Sequence, residues 1–586
     1  MTDKSTAANT PISQQADRGY MDYKLEIGKH TFKERILKNC IYVDKTQHIY
    51  ELMSRDSNCF LSRPRRFGKS LLISTFKEIF SGSKELFKNC WIYDKIEWEE
   101  YPIIHLDFLG VDYKKFGLEQ ALAKKLDSLA AQFNIKLTGE SIKEKFGELI
   151  EILAKDKQVV VLIDEYDKPI IDYMDNISKA KKNRDILKNF YSTLKAQSSN
   201  IRFLLITGVS KFSKISIFSD LNHLNDITIY PQYATMLGYT KEEIEHYFFY
   251  YIDDWEKKTG QKRQVLFEKL KDYYNGYSWD GINFVYNPFS ILSFFGTYLF
   301  KNYWFATGSP TFLVNILKKT GVSLDRYEHM SVSGNFFEKF DIGTIGINNI
   351  SSLLFQTGYL TIKEIKDEKY TLSYPNREVR TSFLQYLLEG FSNKPEYETN
   401  EITSQIKQAL SENKIADFIQ DIKALLSSVP YNIHIGNREA YYHSLIYVAL
   451  KISMMDVQAE IQTALGRSDI VVAMDRYIYI LEFKMGSAQS ALDQIEAKQY
   501  YAPYLGKNKK IVLLGIGLAE SERNISDWKS KELGEPGSET KISMTKEAKE
   551  TNDEKRRMVK QMLADKLPLE FIIKYSGLSE EEIKKL

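Results

Sequence analysis

The run Arg63-Pro64-Arg65-Arg66-Phe67-Gly68-Lys69-Ser70 holds most of a phosphate-binding loop. A glycine at 68 lets backbone amides approach phosphate oxygens, Lys69 can meet the terminal phosphates, and the Ser70 hydroxyl can ligate magnesium. Arg65, Arg66, Phe67, Gly68, Lys69 and Ser70 are therefore the candidate nucleotide contacts. The usual spacing, G-x-x-x-x-G-K-[ST], asks for glycine where this chain has Arg63. The three neighbouring arginines admit two readings. They pair with surface carboxylates, at about 0 to 1 kcal/mol a pair, or one of them clamps phosphate with its guanidinium fork.

A second group of chemically capable residues closes the apolar run Val159 to Ile163, which ends in Asp164 and Glu165. Carboxylates at the end of a buried strand suit magnesium-dependent nucleotide hydrolysis. Asp164 would hold the ion together with Ser70, and Glu165 would orient or deprotonate the attacking water. After another apolar run comes Thr207-Gly208-Val209-Ser210-Lys211. Ser210 or Lys211 could sense a terminal phosphate there, and a plain strand-to-loop turn is the simpler account.

The third group lies near the C-terminus. Asp469 to Met474 and Tyr477 to Lys484 read as strands joined by the two-residue turn Asp475-Arg476. In that register Asp469 faces Glu482 with Cβ atoms about 4.5 to 5.5 Å apart, and Lys484 falls on the same face. Carboxylates that close repel unless a divalent cation lies between them. The corresponding chemistry is magnesium-assisted phosphodiester hydrolysis. Asp469, Glu482 and a carbonyl such as that of Phe483 would hold the ion, while Lys484 positions water and stabilises the anionic transition state. A solvated hairpin face with a Glu-Lys pattern is the plain alternative. Glu439, Tyr442 and His443 open the preceding helix, Glu460 lies ahead of the hairpin, and Gln494 and Tyr500 lie on the following helix. By itself His443 reads as a packed or capping histidine, and Tyr500 as a core residue.

These residues need elements to hold them. Between Tyr42 and Tyr230, apolar runs at Cys59 to Leu61, Ile103 to Phe108, Val159 to Ile163, Phe203 to Ile206 and Ile227 to Tyr230 alternate with helical periods. Leu71, Leu72, Thr75, Phe76 and Ile79 form one such period. Ile142, Phe146, Leu149 and Leu153 form another, with Ser141 and Glu144 as its capping box. Such alternation predicts a mostly parallel sheet with helices on both faces. The fold class is α/β, a P-loop NTPase with a helical lid or connector, then a smaller α/β domain and a helical tail. Turn signals at Asn275-Gly276 and Asn287-Pro288 punctuate the aromatic lid region, and Thr399 to Ser428 reads as amphipathic helix.

The expected boundaries are a disordered 1–20, the P-loop domain at 21–237, the lid at 238–375 and a helical connector at 376–431. A second α/β domain at 432–519, a charged linker at 520–554 and a tail at 555–586 follow. A length of 586 residues suits about three or four domains, and 43% hydrophobic residues supply their cores. With 80 basic against 78 acidic residues, any nucleic-acid contact must use a local patch. Three cysteines, Cys40, Cys59 and Cys90, lack disulfide or zinc spacing. No signal-peptide run and no span of about 18 apolar residues is present, so a soluble cytoplasmic protein with no membrane contact is expected.

Tyr42-Val43-Asp44-Lys45-Thr46, Arg63 to Ser70 and Leu162-Ile163-Asp164-Glu165-Tyr166-Asp167-Lys168-Pro169 together resemble the bacterial predicted AAA-ATPase-like family. Thr207 to Phe212, Asn287-Pro288, Thr307-Gly308-Ser309, Gly358-Tyr359-Leu360-Thr361 and Pro375-Asn376-Arg377-Glu378-Val379 extend the resemblance. That family tends to carry R-P-R-R-F-G-K-S, which makes Arg63 a family variant. Glu439, Tyr442-His443, Gly466-Arg467-Ser468-Asp469, Glu482-Phe483-Lys484 and Gln494 are similar to the PD-(D/E)XK nuclease-like domain often fused to it. The resemblance implies that the smaller α/β domain is restriction-endonuclease-like, with a metal-dependent core in which Asp469, Glu482 and Lys484 act and Gln494 helps. The tail is similar to those of transposon-associated nuclease-like proteins.

The expected molecule binds ATP and Mg2+, hydrolyses the nucleotide and positions a fused nuclease on nucleic acid, with DNA favoured. A homo-oligomer or protein partner is left open. The competing expectation is an ATP-regulated switch or interaction protein whose nuclease-like domain binds without cutting.

Overall fold

A computed structural model of the chain describes residues 23–28, 31–211, 221, 224–305, 317, 324–338, 347–429, 438–453, 456–463, 466–519, 524–533, 542–544 and 559–560. The chain divides into two compact units. One comprises Met1–Ser309 and Met330–Arg380, the other Pro310–His329 and Thr381–Leu586.

In the first unit β1 (Asn58–Ser62), β2 (Ile103–Asp107), β3 (Val159–Asp164), β4 (Ile201–Gly208) and β5 (Asn225–Asp226) form a sheet ordered β2-β3-β4-β1-β5. Every neighbouring pair is parallel, so each connection crosses over the sheet. All six residues of β3 are buried, as an unbroken Val/Ile/Leu run requires of a strand covered on both faces. The topology sets β4 between β1, which feeds the loop, and β3, which ends in Asp164.

The helix after the loop, Lys69–Phe80, follows from its apolar period. It buries Leu72, Ile73, Phe76, Ile79 and Phe80 in one core with Leu61, Val160, Leu162, Phe203 and Leu205. Phe76 stacks on Phe203 at 5.0 Å. Ser141 and Glu144 do form the capping box of helix Ile142–Leu153.

Two expectations for this unit change. The fifth strand is Asn225–Asp226, ahead of the expected Ile227 to Tyr230. Ile227 N–H still donates to Phe60 O, but the Ser62 N–H then goes to the Thr228 side chain, which ends the ladder. Residues 238–375, expected to be helical, also hold an antiparallel sheet of β6 (Met330–Ser333), β7 (Thr361–Lys366) and β8 (Lys369–Ser373), ordered β6-β8-β7. Its hairpin turns at Asp367 and Glu368, with φ of 48° and 60°. Such a turn usually shows itself through Asn-Gly or Asp-Gly.

The second unit centres on β9 (Asp456–Thr463), β10 (Gly466–Ala473), β11 (Tyr477–Met485), β12 (Lys510–Ala519), β13 (Asn524–Leu533) and β14 (Ile542–Met544), ordered β14-β13-β12-β11-β10-β9. Only β11 and β12 pair in parallel, and helix Ala488–Ala497 makes that crossover. The expected single helix from Thr399 to Ser428 is two, Glu396–Ser411 and Ile415–Ser427. Asn413 between them has φ 56°, and its side chain accepts from the Tyr479 hydroxyl. Nor is 520–554 a plain linker. Asn524–Leu533 pairs along β12 and buries Ile525, Trp528 and Ser530, a half-solvated strand whose charged face masks it. The expected N-terminal disorder at 1–20 and the tail at 555–586 lie outside the described residues, apart from 559–560. Among the described residues no helix is long and apolar enough to cross a membrane.

Candidate functional site

At the end of β1 the chain turns through Arg66, φ 67°, and Gly68, φ 93°, to start helix Lys69–Phe80. Positive φ at both points folds the backbone into a cradle at a helix N-terminus, the end that attracts anions. The Lys69 ammonium lies in that cradle and donates to Arg63 O at 2.9 Å and Pro64 O at 3.0 Å. Burial lowers its pKa, while Asp164, Glu165 and Asp167 oppose that shift. A phosphate could take the ammonium from two neutral carbonyls, so the residues fit a nucleoside triphosphate.

Arg63 follows neither reading that its sequence allowed. It is 1% exposed and donates to Ser62 O, Thr228 O and Tyr233 O. Its guanidinium lies 3.9 Å from the Trp279 ring centroid, and burial pulls its pKa down to about 9. This arginine is a pillar under the loop. Its neighbours are braced as well, for Phe67 packs edge-on against Tyr277 and Trp279, and Arg66 lies over Phe289. The Trp304 indole N–H donates to Arg65 O at 3.0 Å. A Cβ on Gly358 would stand 2.7 Å from Pro64. The Phe67 ring is thus buried in packing, while the Arg65 side chain is exposed.

Trp304 is held in turn by Glu378, whose buried carboxylate accepts from Trp304 N–H at 2.7 Å and Ser290 Oγ at 2.8 Å. Burial pushes its pKa up to about 7. In the sequence Glu378 stands inside Pro375-Asn376-Arg377-Glu378-Val379, where nothing local marks a role for it.

Across the sheet edge, Asp164 is 3% exposed and accepts from Thr207 Oγ1 at 2.6 Å. Glu165 adopts φ 52°, a conformation costly for a non-glycine residue and frequent at functional sites. Burial raises its pKa. Lys211, a candidate phosphate sensor, pairs with Asp226 at 2.6 Å. Ser210, the other candidate, donates its hydroxyl to Asp167 at 2.6 Å. Asp167 was missed as a site residue. Its signal was a third acid in Asp164-Glu165-Tyr166-Asp167.

In the second unit, the turn at Asp475-Arg476 and the register Ile470↔Leu481 put Asp469 and Glu482 at facing positions just past the paired stretch. There the side chains replace the ladder. Asp469 N–H donates to Glu482 Oε2 at 3.2 Å, and Phe483 N–H donates to Asp469 Oδ2 at 2.8 Å. Glu482 is 2% exposed; burial, then Asp469, pushes its pKa up to about 8, while Lys484 and the bonds from Asp469 N–H and Gln494 oppose the rise. Gln494 Nε2 donates to Glu482 Oε1 and to the Tyr500 hydroxyl; Gln494 lies on the helix as expected, whereas Tyr500 falls in the turn beyond its end at Ala497. His443 Nε2–H donates to Asp469 O at 3.2 Å. Two facing acids, one held off ionisation by burial and by its acidic neighbour, fit a divalent cation. Among the described residues no group of three or more His, Cys, Asp or Glu side chains is placed to hold a metal, so carbonyl and water oxygens would complete the shell. The side chains of Glu439 and Glu460 are not among those described.

The chain matches the family model described as Predicted AAA-ATPase over residues 26–218 and that of the PD-(D/E)XK nuclease superfamily over residues 437–528. It is 34% identical over 527 residues to an uncharacterized protein in the vnfD 5' region of Azotobacter chroococcum mcd 1, covering 87% of this chain and 99% of that protein. No solved structure matches it significantly.

Proposed function

Because the chain belongs to the predicted AAA-ATPase family and carries a C-terminal PD-(D/E)XK nuclease superfamily domain, we propose that it hydrolyses ATP and cuts nucleic acid, DNA before RNA. The observation that carries the reading is the completed ladder at Asp469 and Glu482, which fixes two acids beside Lys484 before any ligand arrives. At the other site Arg65 to Ser70 hold the triphosphate, Lys69 exchanges its loop carbonyls for phosphate oxygens, and Glu165 takes the proton of the attacking water. Ser70 and Asp164 would hold Mg2+ there, as Asp469 and Glu482 would in the nuclease domain. Bound, the ion supplies charge neutralisation at the reacting phosphate and a more acidic water. Lys484 faces the phosphodiester and stabilises the charge that develops on it, while Gln494 and His443 keep the acids in place.

The test incubates the full chain with labelled DNA and RNA, Mg2+ or Mn2+, with and without ATP, beside Lys69→Ala and Glu482→Ala. Cleavage lost in Glu482→Ala and nucleotide binding lost in Lys69→Ala are the expected results. Intact DNA and RNA under every condition would remove the nuclease half, and absence of any nucleotide binding would remove the ATPase half.

A further inference from the structure

Asp167 is 1% exposed, and its carboxylate is bonded along one short segment. Its carboxylate accepts from Val209 N–H at 3.1 Å, Ser210 N–H at 2.6 Å and Ser210 Oγ at 2.6 Å. Those donors belong to the residues leaving β4, the strand between the loop and the catalytic carboxylates. Neighbouring contacts tighten the same seam. Tyr166 N–H donates to Thr207 O at 3.1 Å, and the Tyr166 hydroxyl donates to Ser210 O at 2.9 Å. A Cβ on Gly208 would stand 2.6 Å from the Tyr166 ring and 2.8 Å from Asp167 Oδ1, so only glycine permits the approach.

The other side of the segment is tied to the loop strand. Ser62 Oγ donates to Val209 O at 2.6 Å, and Arg63 N–H donates to Gly208 O at 3.2 Å. Between these ties stands Thr207, fully buried, whose hydroxyl donates to Asp164 Oδ1. The direction in which Asp164 points therefore depends on where Thr207 is held, and Thr207 is held by a segment that Asp167 anchors.

Resting on the nucleotide-hydrolysis reading, we propose that Asp167 is a positioning residue for that step, which fixes the exit of β4 so that Thr207 orients Asp164. Its oxygens are engaged by the segment, so it acts without touching the nucleotide. A carboxylate meets the Val209 and Ser210 donors with two acceptor oxygens, whereas an amide has one. Asp167→Asn therefore slackens the seam while keeping its shape.

The experiment measures hydrolysis and fluorescent-ATP binding by the full chain and by Asp167→Asn, Thr207→Val and the double variant. Asp167→Asn should lower kcat about tenfold or more with affinity within about twofold. The double variant should be no slower than the slower single one, as expected for residues acting through one contact. Ser210→Ala, which removes a single donor and spares the fold, should lower kcat by a smaller factor. Unchanged kcat in Asp167→Asn overturns the proposal alone, as does additivity with Thr207→Val or a joint loss of affinity, kcat and Tm. If the unaltered chain hydrolyses no nucleotide, the parent reading falls and takes this one with it.

Discussion

Asp469 and Glu482 hold each other's strand: the N–H of Asp469 goes to the Glu482 carboxylate, and the Asp469 carboxylate takes the N–H next to Glu482. Both acids are thereby immobilised in advance, so little side-chain freedom is lost when a cation arrives. Glu482→Ala should abolish Mn2+ binding at this site and loosen the strand end. Lys484→Ala should retain Mn2+ affinity yet cut about 100-fold more slowly or worse. Calorimetry with Mn2+, run beside cleavage assays, separates the two roles.

Glu165→Gln keeps the size of the side chain and removes its ability to take a proton. Hydrolysis should fall by about 10² to 10⁴, with nucleotide affinity preserved. Phosphate release and fluorescent-ATP titration check it. Loss of affinity comparable to that of Lys69→Ala would count against Glu165 as the base.

Restoring the usual loop glycine through Arg63→Gly should destabilise the protein. Three carbonyls lose a charged donor and Trp279 loses its cation, at a combined cost of about 3 kcal/mol or more. Urea unfolding measures it. Combined with Trp279→Ala, the loss should be less than additive, since both changes remove one contact.

The buried Glu378 makes stability depend on pH. Its folded pKa of about 7 lies above its ordinary value of 4.5, so the folded chain holds the proton more tightly than the unfolded chain. Its contribution is complete below pH 4.5 and is lost as pH rises through 7. Glu378→Gln keeps one acceptor oxygen for Trp304 N–H, can donate its amide to Ser290 Oγ, and cannot ionise. It should flatten that part of the pH profile and add at most about 3 kcal/mol at pH 8. Urea midpoints at pH 5 and pH 8 give the comparison, and an unaltered slope would reject the assignment.

Much of this architecture was legible in the sequence because local pattern and tertiary role agree. The Val159 to Ile163 run gave a buried strand, and Asp475-Arg476 set the hairpin register that brings Asp469 to Glu482. Arg63 was not legible, since its partners Thr228, Tyr233 and Trp279 are remote and nothing local distinguishes a buried arginine from a surface one. The Asp367-Glu368 turn has glutamate where the favoured Asp-Gly has glycine, and Asn524–Leu533 hides its buried Trp528 among charges. Asp167 was visible as a residue but not as a role, because its meaning comes from the backbone of Val209 and Ser210.

The brace around the phosphate loop bears on how this protein can be divided. Trp304 is 239 residues beyond the carbonyl it holds, and Tyr277, Trp279, Phe289 and Gly358 are similarly remote. A fragment ending after β5 would keep every strand of the parallel sheet and lose the mould in which its loop is cast. Arg63 and Phe67 would then be uncovered, inviting clumping during expression. The smallest piece worth isolating for nucleotide work therefore extends past Glu378.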